Sequence, residues 1–286
     1  MKIVLYTTNA KAHATAENAF LLGLSKHELI PTVRSIKQPP IDCDLAVFWG
    51  FKDRTLPFQK HQKKNKKDFL VMERGFIGGR HNFFSFGFNG LNGRADFVNK
   101  NSPPDRWNKH FDNKNIFKEW RMDGKYILIT GQVPGDASMK HLPGGIVNYN
   151  KLVNDLKKIT TLPIKFRPHP KTLVERWKSR YKNVAPKGVE VTQSTSSNLY
   201  DDLKDAKCVI TFNSNTCVDA TLYGVYCVVL DEGAMAWEMC GHKLEDVNTT
   251  MRYHREQWAY NLAYTQWTIE EIKQGMAWES LKRKYQ

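Results

Sequence analysis

Cys208-Val209-Ile210-Thr211-Phe212-Asn213-Ser214-Asn215-Thr216-Cys217-Val218-Asp219-Ala220 decides the fold of half the chain. Residues 208–212 are an apolar block of strand length. Asn213 to Thr216 then carry the hydroxyl and amide side chains that start helices, and residues 216–223 read as a helix. The alternation extends both ways. Upstream lie a strand at 126–130 ended by Gly131, a helix at 146–159, a strand at 164–167 stopped by Pro168-His169-Pro170, a helix at 173–181, a short strand at 189–191 and a helix at 199–206 capped by Ser197 or Asn198. Downstream, residues 225–230 form another strand. This order is that of a parallel, Rossmann-like sheet.

The first part repeats the pattern. Strands are expected at 3–7, 31–36, 45–49 and 69–72, with a helix carrying Ala16, Ala19, Phe20, Leu22 and Leu24 and another through the lysine-rich stretch. After Glu73, six glycines between Gly75 and Gly93 interleave with Phe76, Phe83, Phe84, Phe86 and Phe88, which reads as an ordered loop packed on something. Residues 99–105, with Pro103-Pro104, read as a linker or surface turn. The expected division is a domain at 1–122, a second at 123–252, and a helical tail at 253–286 packing back on the first.

A chain of 286 residues with 41% hydrophobic and 12% aromatic side chains fills two compact cores, which excludes disorder and a disulfide-stapled miniature. No apolar run approaches the ~20 residues that cross a bilayer, and no signal-peptide core is present. A soluble, cytoplasmic protein is expected. The five cysteines are odd in number and lack C-x-x-C spacing, so they read as small buried side chains. H-E-x-x-H and G-x-S-x-G are absent, and Asp42-Cys43-Asp44 reads as a polar turn. The net charge of +14 is uneven. Residues 1–122 hold 21 Lys+Arg against 11 Asp+Glu, and residues 123–286 hold 22 against 18. Lys60, Lys63, Lys64, Lys66 and Lys67 fall within eight residues and either attract a polyanion or form a solvated helix face.

Four segments carry candidate chemistry. In parallel sheets ligands bind beyond the carboxyl ends of the strands. Arg167-Pro168-His169-Pro170-Lys171 ends one strand, and its two cations and outward imidazole suit a phosphate; a structural turn capped by His169 is the alternative. Ser214, Asn215 and Thr216 end another and favour an anion or serve as an ordinary helix cap. Asp219, one turn on, reaches a ribose hydroxyl or caps its own helix. Gly131-Gln132 and Gly144-Gly145 are flexible turns suited to a phosphate. Glu73, before Arg74-Gly75-Phe76, is a candidate general base or half of a surface ion pair.

Taken together, these residues resemble the bacterial capsular-polysaccharide Kdo transferases and the related His-Pro-motif sialyltransferases. The resemblance rests on Trp49-Gly50-Phe51-Lys52, on Glu73-Arg74-Gly75-Phe76, on His169-Pro170, and on Asn213, Ser214, Asp219 and Ala220 followed by Tyr223-Gly224. It implies the GT-B fold, two Rossmann-like domains facing across a cleft, with no obligatory metal or other cofactor. In that family the His-Pro and Ser motifs, at His169 and Ser214 here, bind the donor nucleotide and its phosphate; with the strand-end residues Gly131, Gln132, Arg167, Lys171, Asn215, Thr216 and Asp219 they are the expected binding set for a UDP- or CMP-linked nucleotide-sugar donor. An acidic residue of the first domain acts as base in that family. The family has two acids before Gly-Phe, the second being the usual base; here that position is Arg74, which leaves Glu73, with Asp53 and Asp96 in reserve.

The expected activity is therefore transfer of a sugar to a hydroxyl. The basic first domain, through Lys60, Lys63, Lys64, Lys66, Lys67, Arg74, Arg80 and Arg94, suggests a polyanionic acceptor. Duplex DNA with hydroxymethylated bases, as in a phage-encoded modifying enzyme of the host cytoplasm, is the first expectation. An acidic capsule or lipopolysaccharide glycolipid is the alternative. A non-catalytic nucleic-acid-binding protein is the reading from another class.

Overall fold

The structure is a computed structural model. It describes the whole chain apart from residues 9, 80, 113, 114, 143, 144, 175–184 and 188–190, and the backbone alone of 11 and 12. Its strands in chain order are β1 (Ile3–Thr7), β2 (Thr32–Ser35), β3 (Leu45–Trp49), β4 (Asp68–Arg74), β5 (Phe84–Phe88), β6 (Tyr126–Thr130), β7 (Ile164–Arg167), β8 (Thr192–Gln193), β9 (Ala206–Thr211), β10 (Tyr226–Val229) and β11 (Gln266–Trp267). The chain divides into two compact units, Met1–Asn113 with Arg255–Gln286, and Lys114–His254. Residues just before the expected boundary at 122 already belong to the second unit: the Lys118 and Arg121 N–H groups donate to the Leu222 and Gly224 carbonyls, each at 2.8 Å.

The first unit holds a six-stranded sheet in the order β11-β5-β4-β3-β1-β2. Its β1, β2, β3 and β4 are mutually parallel, and β5 and β11 complete it antiparallel. All five residues of β3 are buried, as in a sheet covered on both faces. Alternation divides the side chains. Leu45, Val47, Trp49, Leu70 and Met72 face the helix Lys11–Ser25 and the tail; Ala46, Phe48, Phe69 and Val71 face the helix Leu56–Lys64. The segment after Glu73 contains a strand where a loop was expected. In β5 the alternate residues Phe84, Phe86 and Phe88 enter the core while Ser85 and Gly87 point away. The period of two is real, but glycines surround it in the sequence and mask it.

The tail contains the expected helices, at Glu256–Ala263, Ile269–Lys273 and Met276–Leu281, and also the strand β11 against β5. Residues 99–105 are not a linker. Asn99 Nδ2 donates to the Asn261 carbonyl at 2.9 Å and Asn261 Oδ1 accepts the Ser102 N–H at 3.0 Å, so the tail fixes them. The strongest tie is Arg106, buried and stacked on Trp267 at 3.8 Å. Its guanidinium donates to both Glu271 carboxylate oxygens, at 2.8 and 3.1 Å, and to the Ala263 and Gln266 carbonyls.

The second unit holds a five-stranded sheet, β10-β9-β6-β7-β8, parallel throughout. Its core gathers Ile127, Ile129, Tyr149, Val153, Leu156, Phe166, Ile210 and Val228. The helix expected at 146–159 runs Tyr149–Leu156. Of the helix expected at 173–181 the described part is the turn Pro170–Leu173, and the described strand lies at Thr192–Gln193 rather than 189–191, of which 189 and 190 fall outside the described residues. All five cysteines are buried thiols. Among the described residues, no helix is long and apolar enough to cross a membrane.

Two tests follow from the docking of the tail. Gly23 lies inside the first helix because a Cβ there would stand 2.1 Å from the Ile272 carbonyl oxygen. Gly23→Ala is expected to cost about 1–3 kcal/mol in denaturant unfolding although alanine is the better helix former. Burial raises the Glu271 carboxyl, but Arg106, the Thr268 N–H and His110 outweigh it and hold the group down to about 2. A carboxyl depressed in the folded state adds stability above its unfolded pKa and loses it as the pH falls through the folded one. About 3 kcal/mol should therefore disappear between about pH 4.5 and pH 2. Glu271→Gln should abolish that part of the acid-unfolding profile.

Candidate functional site

Five parallel strands send five loops to one edge of the second sheet, and side chains lock three of them together. After β6, Gln132 and Asn213 exchange two hydrogen bonds: Gln132 Nε2 donates to Asn213 Oδ1 at 2.7 Å, and Gln132 Oε1 accepts the Asn213 N–H at 2.8 Å. Asn213 Nδ2 donates to Asp231 Oδ1 at 3.1 Å, joining the loop after β10. Asp231 also accepts the Gly233 N–H at 2.7 Å and pairs with His141 Nε2 at 2.5 Å. The Tyr149 hydroxyl accepts the Gln132 N–H at 2.8 Å, and His141 lies over Phe212 with centroids 5.9 Å apart. The loops after β6 and β7 touch directly: a Cβ on Gly131 would meet Phe166 at 2.9 Å and the His169 nitrogen at 3.3 Å. Glycine is required there by close approach.

Against this frame the expected donor residues fall into two groups. His169 precedes the turn Pro170–Leu173, and its Nδ1 accepts the Lys171 N–H at 3.1 Å. In the neutral ring the proton therefore sits on Nε2, which becomes the donor for a ligand. Ser214 Oγ lies 3.1 Å from Thr216 Oγ1 and accepts the Thr216 N–H at 3.3 Å; Asn215 is exposed. Gly131, Gln132, His169, Lys171, Ser214, Asn215 and Thr216 thus share one edge. Arg167 and Asp219 have other partners. The Arg167 guanidinium is buried, donates to Asp202 Oδ2 at 2.5 Å and holds the Ser196 and Ser197 carbonyls. Lys165 closes the other Asp202 oxygen at 2.6 Å. The expected role of Arg167 on a leaving group is corrected: its charge is spent on a buried carboxylate. Asp219 is half-buried, hydrogen-bonded by the Tyr200 hydroxyl, and pushed by burial up to about 7. Gly144 lies outside the described residues, and Gly145 accepts the Gly135 N–H.

Sequence reasoning missed Tyr149, His141 and Asp231. Asp231 had a signal, since Asp231-Glu232-Gly233 ends an expected strand at the same edge. His141 had none, because it reaches Asp231 from an irregular segment 90 residues away.

In the first unit, Thr8 follows β1, residues 50–54 follow β3, and Glu73 and Arg74 end β4, all at the carboxyl edge of parallel strands. Glu73 and Arg74 point to opposite faces. Arg74 lies over Trp49 and Phe84, at 5.5 and 5.0 Å, on the face of the first helix; Glu73 follows Val71 on the other. The expected acceptor residues do not converge. Lys63, Lys64, Lys66 and Lys67 precede β4 and sit at its amino end, about 20 Å from Arg74 at roughly 3.3 Å per residue; Lys60 lies midway along the helix. Arg94 follows β5, whose end pairs with the start of β4, so it too is at the amino edge. Arg80 lies outside the described residues. Acids share the amino edge: Asp44 binds Lys67 at 2.8 Å, and Asp96, one of the reserve bases, binds Lys284 at 2.9 Å. Among the described residues, no group of three or more His, Cys, Asp or Glu is placed to hold a metal ion.

No protein-family model and no curated protein matches the chain. Among solved structures it is similar to the Thermosulfurimonas dismutans KpsC β-Kdo 2,4 transferase, with a TM-score of 0.60 and 12% identity over 97% of this chain and 98% of that one. The β-Kdo 2,7 transferase of the same organism's KpsC gives a TM-score of 0.48 at 12% identity, over 99% and 100%. The Methanocaldococcus jannaschii UDP-GlcNAc 2-epimerase gives 0.32 at 14%, over 86% and 90%. The first likeness extends over both units and shows the fold: two Rossmann-like α/β domains of the GT-B type.

Proposed function

We propose that the chain is a glycosyltransferase that moves a sugar from a nucleotide-sugar donor to a hydroxyl of an acidic saccharide of the capsule or lipopolysaccharide class. The observation that carries this reading is the edge of the second sheet. There Gln132, Asn213 and Asp231 lock the loops after β6, β9 and β10 into one frame, and the side chains beside it are donors suited to a phosphate. His169 Nε2–H, the Ser214 and Thr216 hydroxyls and the Lys171 ammonium would hold the diphosphate or monophosphate of a UDP- or CMP-linked sugar. They would also stabilise the charge that builds on it as the glycosidic bond breaks. Ser214 and Thr216 sit on a loop joined to the frame through Asn213, and His169 and Lys171 sit on the loop after β7, which approaches it at Gly131. The likeness to a Kdo transferase supports the choice of chemistry through the fold alone.

An acidic saccharide is preferred to duplex DNA as acceptor for a structural reason. The lysine cluster that pointed to DNA lies at the amino edge of the first sheet, interspersed with Asp44 and Asp96, and is separated from the carboxyl edge by the length of β4. It does not form one surface with Glu73 and Arg74. Arg74 remains the expected acceptor-binding residue at that edge.

His169→Ala should weaken binding of the donor nucleotide by about 10- to 100-fold, the worth of a charge-assisted hydrogen bond, and cost the unliganded protein only the lost cap on the Lys171 N–H, about 1 kcal/mol. Arg167→Leu should do the reverse and lose on the order of 3 kcal/mol of stability, because Asp202 is left buried with one cation fewer. Isothermal titration and thermal unfolding separate the two. Mass spectrometry of acidic oligosaccharides and of 5-hydroxymethyl-bearing DNA, incubated with a panel of nucleotide sugars, tests the acceptor. Mass addition to the saccharide is expected, and modification of the DNA instead would refute the assignment.

A further inference from the structure

At the carboxyl edge of the first sheet, on the face that Arg74 shares, lies a group of side chains centred on His13 and Thr8, which the sequence did not single out. His13, in the first turn of the helix Lys11–Ser25, stacks on Trp49 with ring centroids 4.4 Å apart and planes 11° from parallel. Its Nδ1 lies 2.7 Å from Thr8 Oγ1, which also accepts the Ala10 N–H at 3.3 Å. Glu17, one turn further along the helix and 3% exposed, lies 3.5 Å from the Thr8 nitrogen. Arg74 covers the Trp49 ring from β4, and Lys52 and Arg54 come from the loop after β3. The charged groups that bear on the ring are thus Arg54, Lys52 and Arg74, with Glu17 beneath Thr8.

We propose that His13 is the general base that takes the proton from the acceptor hydroxyl, with Thr8 as the positioning residue that fixes the ring and Glu73 uninvolved in the proton transfer. This inference rests on the transferase reading above. The face of the sheet carries it. Arg74, the residue expected to bind the acceptor at this edge, lays its side chain over Trp49. Glu73 points to the opposite face, toward the helix Leu56–Lys64, whereas His13 is stacked on the same Trp49 that Arg74 covers. A base is thus present on the face that Arg74 occupies.

The proton affinity of the ring fits the role. Burial, followed by Arg54, Lys52 and Arg74, lowers His13 to about 4. That value is close to those of ordinary Asp and Glu side chains, about 4, so the imidazole here has the proton affinity of a carboxylate and stays unprotonated across the neutral range. The role requires the tautomer in which Nδ1 donates its proton to Thr8 Oγ1, which leaves the Nε2 lone pair as the acceptor. In the transfer, the acceptor O–H bond breaks as its oxygen bonds to the anomeric carbon, and the proton goes to Nε2. The bond from the anomeric carbon to the donor phosphate breaks with its electron pair remaining on the nucleotide. The imidazolium, disfavoured by three cations, then releases its proton to water.

The test uses the full-length chain and two independent readouts. In ¹⁵N NMR, His13 should show a protonated Nδ1 and an unprotonated Nε2 from about pH 8 down to about pH 5; a proton on Nε2 in that range overturns the proposal whatever the activity. In the transfer assay with the saccharide identified by mass spectrometry, His13→Ala should lower kcat by about 10²- to 10⁴-fold with nucleotide affinity unchanged. His13→Glu should recover at least about 10-fold of that loss, and Glu73→Gln should stay within about threefold of the parent. Thr8→Val should lower kcat less than His13→Ala does and leave KM unchanged. Parent-like turnover in His13→Ala, or its loss in Glu73→Gln, overturns the inference and leaves the transferase reading standing. Failure of the parent chain to bind any nucleotide sugar instead overturns that reading, while the ring's protonation is still decided by NMR.

Discussion

Parallel strand pairing is the constraint on which the rest depends. A parallel sheet sends every carboxyl end to one edge, so loops far apart in sequence meet there without any further instruction. In the second unit all five strands obey it, and Gln132, Asn213 and Asp231 hold the loops at that edge. In the first unit the same rule gathers Thr8, residues 50–54 and Arg74 while sending Lys63 to Lys67 to the opposite end of β4. Strand direction therefore separates the edge that carries Arg74 from the edge that carries the lysines.

Two buried carboxylates show how the fold uses charge. Glu271 is enclosed by Arg106, His110 and the Thr268 N–H, and Asp202 by Arg167, Lys165 and Ser194. A carboxylate taken out of water is tolerable only with such complete pairing. Each acid in turn fixes a chain segment: Glu271 ties the tail to the residues after β5, and Asp202 aligns the strand end that carries His169. Arg167 was legible as a cation beside a phosphate motif. Its partner, 35 residues on in a short helix, was not, and that partner determines where the guanidinium points.

Element type was readable wherever one period dominated. The block at β3 and the succession from β6 to β10 left little choice of strand or helix. β5 was not readable, because its three alternate phenylalanines lie among glycines that look like a loop; only the neighbours β4 and β11 supply the hydrogen bonds that make it a strand. Of the two readings of 99–105, linker or surface turn, the contacts of Asn99 and Ser102 with Asn261 exclude the linker, and that partner lies about 160 residues later in the chain.

The sequence by itself determined the two α/β units, the parallel order of the second, the His-Pro and Asn-Ser turns at strand ends, and the basic character of the first half. These are local matters: side-chain period, turn chemistry and composition act over a few residues. Tertiary structure alone decided which cations are consumed by buried acids and which edge of a sheet a lysine occupies. It also decided that Arg74 lies over Trp49, and that His13 comes to rest on the same ring, 36 positions away in the chain. Those outcomes depend on which strands pair and on which partners meet across the fold, contacts that act through space and leave no periodic trace in the sequence.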